Sequence, residues 1–181
     1  LKLKEKNKKF TIGWLGSPSS EIYLNLVVDA LNKIANKDDI SILIVGGNND
    51  NLFKNNNTEY LNWSLEDEIN IINKFDIGIM PLFDTEWEKG KCSFKLIQYM
   101  ACEIPVISSP VGFNLQVVED KISGFFASNK SEWINKINLL KNSKVLRNEM
   151  GENGRKRVEK LYSKDKIFSQ LLNNVSIINN S

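Results

Sequence analysis

The chain has 181 residues, 41% of them hydrophobic and 25% charged, which is enough to bury one sizeable core and suits a single globular domain. Lys and Arg number 24 against 22 Asp and Glu, and a net charge of +2 argues against a nucleic-acid partner. There is no histidine, which excludes serine–histidine and cysteine–histidine catalysis and removes the commonest metal ligand and proton shuttle.

In chain order, the lysine-rich start LKLKEKNKKF reads as a basic linker or arm over residues 1–9, with contact to an anionic membrane surface as the alternative. No apolar run approaches the roughly 20 residues of a membrane helix, and the charged start lacks the apolar stretch of a signal peptide, so the expected compartment is the cytoplasm. FTIGWLG is a first strand. SSEIYLNLVVDALNKIANK then places Ile22, Leu26, Val27, Ala30, Leu31 and Ile34 at helical spacing, which predicts one amphipathic helix. ISILIVGG is a strand apolar on both faces. After a polar loop come a short strand at EYLNW and a helix opening near Ser64, Asp67 and Glu68 and running to about Phe75.

DIGIMPL is the next buried strand. The loop FDTEWEKGKC follows, with Asp84, Glu86 and Glu88 around Trp87; it is expected to be flexible and solvated, an acidic metal or sugar-hydroxyl site being the alternative. Then come the helix SFKLIQYMAC, the strand IPVISS, the turn PVG, a short helix at NLQVVED, a strand at SGFFA and helices opening near Ser131 and Ser143. This alternation predicts an α/β fold, a Rossmann-like parallel sheet with helices on both faces plus C-terminal helices. Such sheets bind ligands beyond the carboxyl ends of their strands. Cys92 and Cys102 form no CxxC pair and read as reduced thiols.

Two turns at those strand ends carry polar groups. GKCSFK starts a helix whose first N–H groups are unpaired and suit a phosphate. There Ser93 can cap the helix or donate to the ligand, Lys91 and Lys95 can neutralise charge, and Gln98 can reach sugar hydroxyls. The alternative is an ordinary N-cap beside two solvated lysines. GSPSS, with Gly16 and Ser17, is the second turn; it is neither a P-loop nor a GxGxxG fingerprint, and it either approaches a phosphate or caps its helix.

DIGIMPLFDTEWEKGKCSFKLIQYMACEIPVISSPVG, GFFA, EWINKI and MGENGRKRVEKLYS together resemble the donor-binding C-terminal half of retaining GT-B glycosyltransferases of the large family-four group. The most specific part, FKLIQYMACEIPVI, is similar to KLxEYMAxGxPVI in a branch of that group. The resemblance implies one half of a GT-B fold, which takes a UDP- or GDP-linked sugar in a cleft shared with an N-terminal acceptor domain and needs no metal. It implies that Gly90, Lys91, Ser93 and Phe94 present backbone and polar groups to the sugar and diphosphate. Lys95 stabilises the leaving diphosphate, Gln98 holds the ribose, and Gly16 and Ser17 touch phosphate. Asn62 and Trp63 lie near the base, although Trp63 can instead be a core aromatic. The chain departs from the family at Gly90 and Gln98, where many relatives carry glutamates, and Gln98→Glu is expected to keep or improve binding.

The expected plan is the arm at 1–9, a nucleotide-sugar-binding domain over 10–162, and a C-terminal helix at 163–181 that exposes Ile167, Phe168, Leu171 and Val175 to a missing N-terminal domain. The resulting function is transfer of a hexose or N-acetylhexosamine to a glycan, lipid or other acceptor, at the inner face of the membrane in the full-length enzyme. The alternatives are a degenerate nucleotide-binding or scaffold module without turnover, and a GT-B epimerase acting on the same donor.

Overall fold

The computed structural model describes residues 9–35, 39–48, 52, 53 and 55–179, the last seven as helical backbone. Residues 1–8 of the expected arm and the side chain of Val175 lie outside the described residues.

Six strands form one sheet, β1 (Phe10–Leu15), β2 (Ile40–Val45), β3 (Thr58–Leu61), β4 (Ile77–Met80), β5 (Val106–Ser108) and β6 (Gly124–Phe126), in the order β3-β2-β1-β4-β5-β6. Every pairing is parallel. The helices are α1 (Val28–Ala35), α2 (Glu68–Ile72), α3 (Glu86–Lys89), α4 (Phe94–Ala101), α5 (Asn114–Val117), α6 (Lys130–Asn142), α7 (Lys144–Leu161) and α8 (Lys164–Asn179). The Rossmann-like parallel sheet read from the sequence is the observed architecture.

Alternation along the strands divides the core in two. Ile12 and Trp14 of β1, with Ile40, Ile42 and Ile44 of β2, join Leu31 and Ile34 of α1 and Trp133, Ile137 and Leu140 of α6. The intervening Leu15, Leu43 and Val45 join Ile71, Ile72 and Phe75 on the other face with Leu96, Tyr99 and Met100 of α4. This two-sided burial is why the strands read as continuous apolar runs, and each large side chain removed from water contributes about 1.5–3 kcal/mol.

The first helical stretch departs from the expectation of one amphipathic helix. Pro18–Leu26 is a 3-10 helix, and α1 begins only after Val27. Three residues per turn instead of 3.6 rotate Ile22 and Leu26 away from the sheet, and Ile22 is 55% exposed. The segment 84–93 is not an open loop either, because it contains α3 and buries Glu88. The helix expected to run to Phe75 ends at Ile72, and Phe75 packs across Gly13 into the core.

At the back of α4, α7 makes direct backbone contact. A methyl at Gly151 would lie 2.2 Å from the carbonyl oxygen of Glu103, and one at Gly154 would lie 3.2 Å from Cγ of Met100. Arg157 adds hydrogen bonds to the carbonyls of Val117 (2.8 Å) and Gln116 (2.7 Å), and Arg155 bonds that of Ala101. The helix ends at Tyr162, whose ring meets that of Phe113 edge-on. Beyond it α8 exposes Ile167, Phe168, Leu171 and Leu172.

Candidate functional site

The strand order reverses direction between β1 and β4, and in open parallel sheets the loops leaving the carboxyl ends of the strands at such a point flank a crevice. Three neighbouring loops are drawn together on one side of it by Gly46. This residue has φ +78, and a Cβ there would fall 2.3 Å from the Gly16 carbonyl oxygen and 3.4 Å from Cβ of Trp63. The turns after β1, β2 and β3 therefore touch at a point that only glycine fits. In the first of them the hydroxyl of Ser20 accepts from the Ser17 N–H at 2.8 Å, and the Ser17 hydroxyl lies 3.0 Å from that of Ser19. Ser17 is exposed, and Asn62 is exposed beside Trp63.

Trp63 is not a core aromatic: 47% of it is exposed, and its indole N–H donates to Oε2 of Glu68 at 2.6 Å. Glu68, at the start of α2, is only 8% exposed. Its Oε1 accepts from Nε2 of Gln98, and Nζ of Lys95 stands 3.7 Å from its Oε2. One carboxylate thus joins three residues nominated separately from the sequence. In the sequence Glu68 reads only as a helix-start acid. A signal was present, since an acid that opens a helix directly after a strand end lies at the ligand-binding edge of such a sheet.

Ser93 occupies the N-cap position of α4 with φ 54, but its side chain caps nothing. It is buried, and its hydroxyl donates to Oδ1 of Asn114 at 2.6 Å, while Nδ2 of Asn114 donates to the Ser109 carbonyl at 2.9 Å. The expected side-chain cap is corrected to a brace between the loops after β4 and β5. The backbone amides at the start of α4 receive no side-chain cap, and Phe94, the first residue of the helix, is exposed.

The two lysines are not simply solvated. Lys95 faces Glu68, and Lys91 places Nζ 5.2 Å from the ring centre of Tyr23. The Tyr23 hydroxyl donates to Oε1 of Glu88 at 2.7 Å, and Thr85 donates to Oε2 of the same carboxylate. The Thr85 bond, then the Tyr23 bond, hold the Glu88 carboxyl below its ordinary range. Burial, reinforced by the Glu88 carboxylate, pushes the Tyr23 phenol up to about 12. Lys89 pairs with Glu86 at 2.8 Å and Asp84 at 3.7 Å, so these two of the acidic residues around Trp87 are tied within their own turn. Gly90 ends α3 in open space, where a methyl would approach only the Trp87 carbonyl, at 3.5 Å.

Gly16, Ser17, Trp63, Lys95 and Gln98 thus share one edge of the sheet with the Gly90–Phe94 turn, with Glu68 and Tyr23 as unforeseen members. A family model described as glycosyl transferases group 1 matches residues 9–142. The chain belongs to the group 1 glycosyltransferases.

Within this group the domain is 28% identical, over 188 aligned residues, to the capsular polysaccharide biosynthesis glycosyltransferase CapM of Staphylococcus aureus. The match takes in 94% of this chain and 48% of CapM, so this chain spans about half the length of that relative. Among solved structures, Anabaena HepE in complex with UDP and glucose superposes with a TM-score of 0.77 at 17% identity, covering 93% of this chain and 48% of HepE. The C-terminal domain of the group 1 protein LpcC from Francisella tularensis gives a TM-score of 0.66 at 14% identity, covering 88% of this chain and 94% of that one. These likenesses establish the fold as that of one half of a GT-B enzyme.

Proposed function

We propose that this group 1 glycosyltransferase domain is the donor-binding half of a retaining enzyme of the family-four kind. It takes a UDP- or GDP-linked hexose or N-acetylhexosamine and serves transfer to a glycan, lipid or other acceptor. The observation that carries this reading is the meeting of Trp63, Glu68, Lys95 and Gln98 with the capless start of α4 beside the β1–β4 crevice. A half-exposed indole suits a base, polar side chains suit ribose hydroxyls, and a lysine beside unpaired amides suits a diphosphate. HepE, of the same fold, forms a complex with UDP and glucose, which fits the same assignment.

In this reading the diphosphate departs toward Lys95 and the first amides of α4, whose positive charge is set where negative charge develops. The acceptor oxygen attacks from the face the diphosphate leaves. Residues 10–162 form the nucleotide-sugar domain, and α8 packs its exposed side chains on an N-terminal acceptor domain. The full-length enzyme works without a metal, on the cytoplasmic side and at the inner membrane face.

Titration calorimetry with UDP and GDP, followed by a transferase assay on the 181-residue chain and on a two-domain form, tests the reading. The expected result is weak nucleotide binding by the chain and turnover only with both domains. Transfer by the chain alone, or no binding of either nucleotide, overturns it. A binding module without turnover is the second reading, favoured by Gly90 and Gln98 standing where the resemblance expects glutamates; a two-domain form that binds the donor and transfers nothing would select it.

A further inference from the structure

We propose that Glu68 is the positioning residue for the nucleoside end of the ligand, setting the orientation of Trp63 and Gln98 from one buried carboxylate. The inference rests on the donor-binding reading above and adds to it a residue on α2. An ionised carboxylate only accepts hydrogen bonds. Glu68 therefore fixes the polarity of both partners, taking the indole N–H of Trp63 on one oxygen and the amide NH2 of Gln98 on the other. Pinned at its N–H edge, Trp63 cannot swing into the core, and its half-exposed ring is held as a platform for a flat base.

For Gln98 the consequence is sharper. With Nε2 committed to Glu68, Oε1 is turned the other way, where it is buried and has no hydrogen-bond partner. Turning the amide over would set oxygen against oxygen. An amide oxygen left unpaired in a buried setting is stabilised by a hydroxyl that reaches it, and the vicinal hydroxyls of a ribose are the donors a nucleotide brings. Lys95, 3.7 Å from the same carboxylate, links this anchor to the phosphate end.

The arrangement also reverses the expectation for Gln98→Glu. A carboxylate at 98 would face the Glu68 carboxylate, and two such groups in contact cannot both ionise readily. Exchanging the pair keeps both hydrogen bonds and moves the carboxylate from 68 to 98. In Glu68→Gln/Gln98→Glu the amide oxygen at 68 accepts from Trp63, its NH2 donates to the carboxylate at 98, and the net charge is unchanged.

The test uses the 181-residue chain with Trp87→Phe, which removes an exposed indole, and compares Glu68→Ala, Glu68→Gln, Gln98→Glu and the exchanged pair. UDP and GDP affinities are read by calorimetry, and tryptophan emission is read with and without nucleotide. Glu68→Ala is expected to lower nucleotide affinity by tenfold or more, to shift the Trp63 emission and to abolish its response to nucleotide. Glu68→Gln is the milder variant should Glu68→Ala fold poorly, and is expected to weaken binding several-fold. Gln98→Glu is expected to weaken binding, and the exchanged pair to return it to within about threefold of the parent. Unchanged emission and affinity in both Glu68 variants overturn the proposal, as does tighter binding by Gln98→Glu alone or no recovery in the exchanged pair. A parent chain that binds neither nucleotide defeats the donor-binding reading instead, and the ligand-free emission of the Glu68 variants then still decides whether Glu68 sets Trp63.

Discussion

The phenol of Tyr99, in α4, accepts a hydrogen bond from the backbone N–H of Leu15 at 2.7 Å, at the carboxyl end of β1. Strand pairing between β1 and β4 ends at Gly13 and Gly78, so the side chain satisfies a main-chain donor beyond the last paired residues. Burial raises the Tyr99 phenol well above its ordinary pKa and keeps it neutral in this role. Tyr99→Phe leaves the ring's packing and orphans a buried N–H. Stability should fall by about 1–3 kcal/mol, measured as a lower urea midpoint with an unchanged slope.

Lys95 is the cation placed between Glu68 and the start of α4. Removing a charge-assisted contact to a diphosphate costs about 1.5–3 kcal/mol, so Lys95→Ala should reduce UDP or GDP affinity by roughly ten- to a hundredfold. The melting temperature should move little, because the side chain is partly exposed. An unchanged dissociation constant in calorimetry would put the phosphate somewhere else.

The Tyr23–Glu88 bond gives the stability an alkaline signature. Tyr23 titrates near 12 in the folded chain against 10 when unfolded, so the folded state holds the proton longer. Its contribution is fully present below pH 10 and is lost as pH rises from about 10 to about 12. Tyr23→Phe should lower stability at pH 8 and flatten the decline across that window. Urea titrations at pH 8, 10 and 11.5 check this, and parallel curves for parent and variant would show that Tyr23 is not the titrating group.

Two glycines in the site make opposite forecasts. Gly46→Ala forces a methyl to 2.3 Å from a backbone oxygen at φ +78, so it should destabilise by more than about 2 kcal/mol. Gly90→Ala meets open space and a permitted backbone, so it should change stability by less than about 0.5 kcal/mol. Thermal denaturation of the two variants side by side separates a glycine required by geometry from one that is not.

The buried strands were legible because a strand covered on both faces is apolar throughout, and Ile40–Val45 could hardly be anything else, whereas Thr58–Leu61 at the sheet edge is only partly covered and was read from its short β-rich run. The 3-10 segment was not, because Ile22 and Leu26 lie at a spacing that an α-helix also fits; Pro18 and the interlinked Ser17 and Ser20 start a tighter turn instead. Among site residues, Lys95 and Gln98 were visible as polar groups on an otherwise apolar helix. Glu68 was not, since an acid at a helix start already has an ordinary explanation and its partners at 63, 95 and 98 meet it only after the chain has folded. Ser93 misled for the opposite reason. It has the right residue type and place for a cap, but the buried Asn114 takes its hydroxyl.

The glycine seam between α7 and α4 bears on how forces pass through the molecule. With backbone set against backbone at Gly151 and Glu103, and Arg157 clasping the last carbonyls of α5, α7 has little slack relative to the sheet. It behaves as part of the same rigid block that carries the start of α4. The helical path breaks only beyond that seam, at Tyr162 and Ser163, where one helix stops and the next begins.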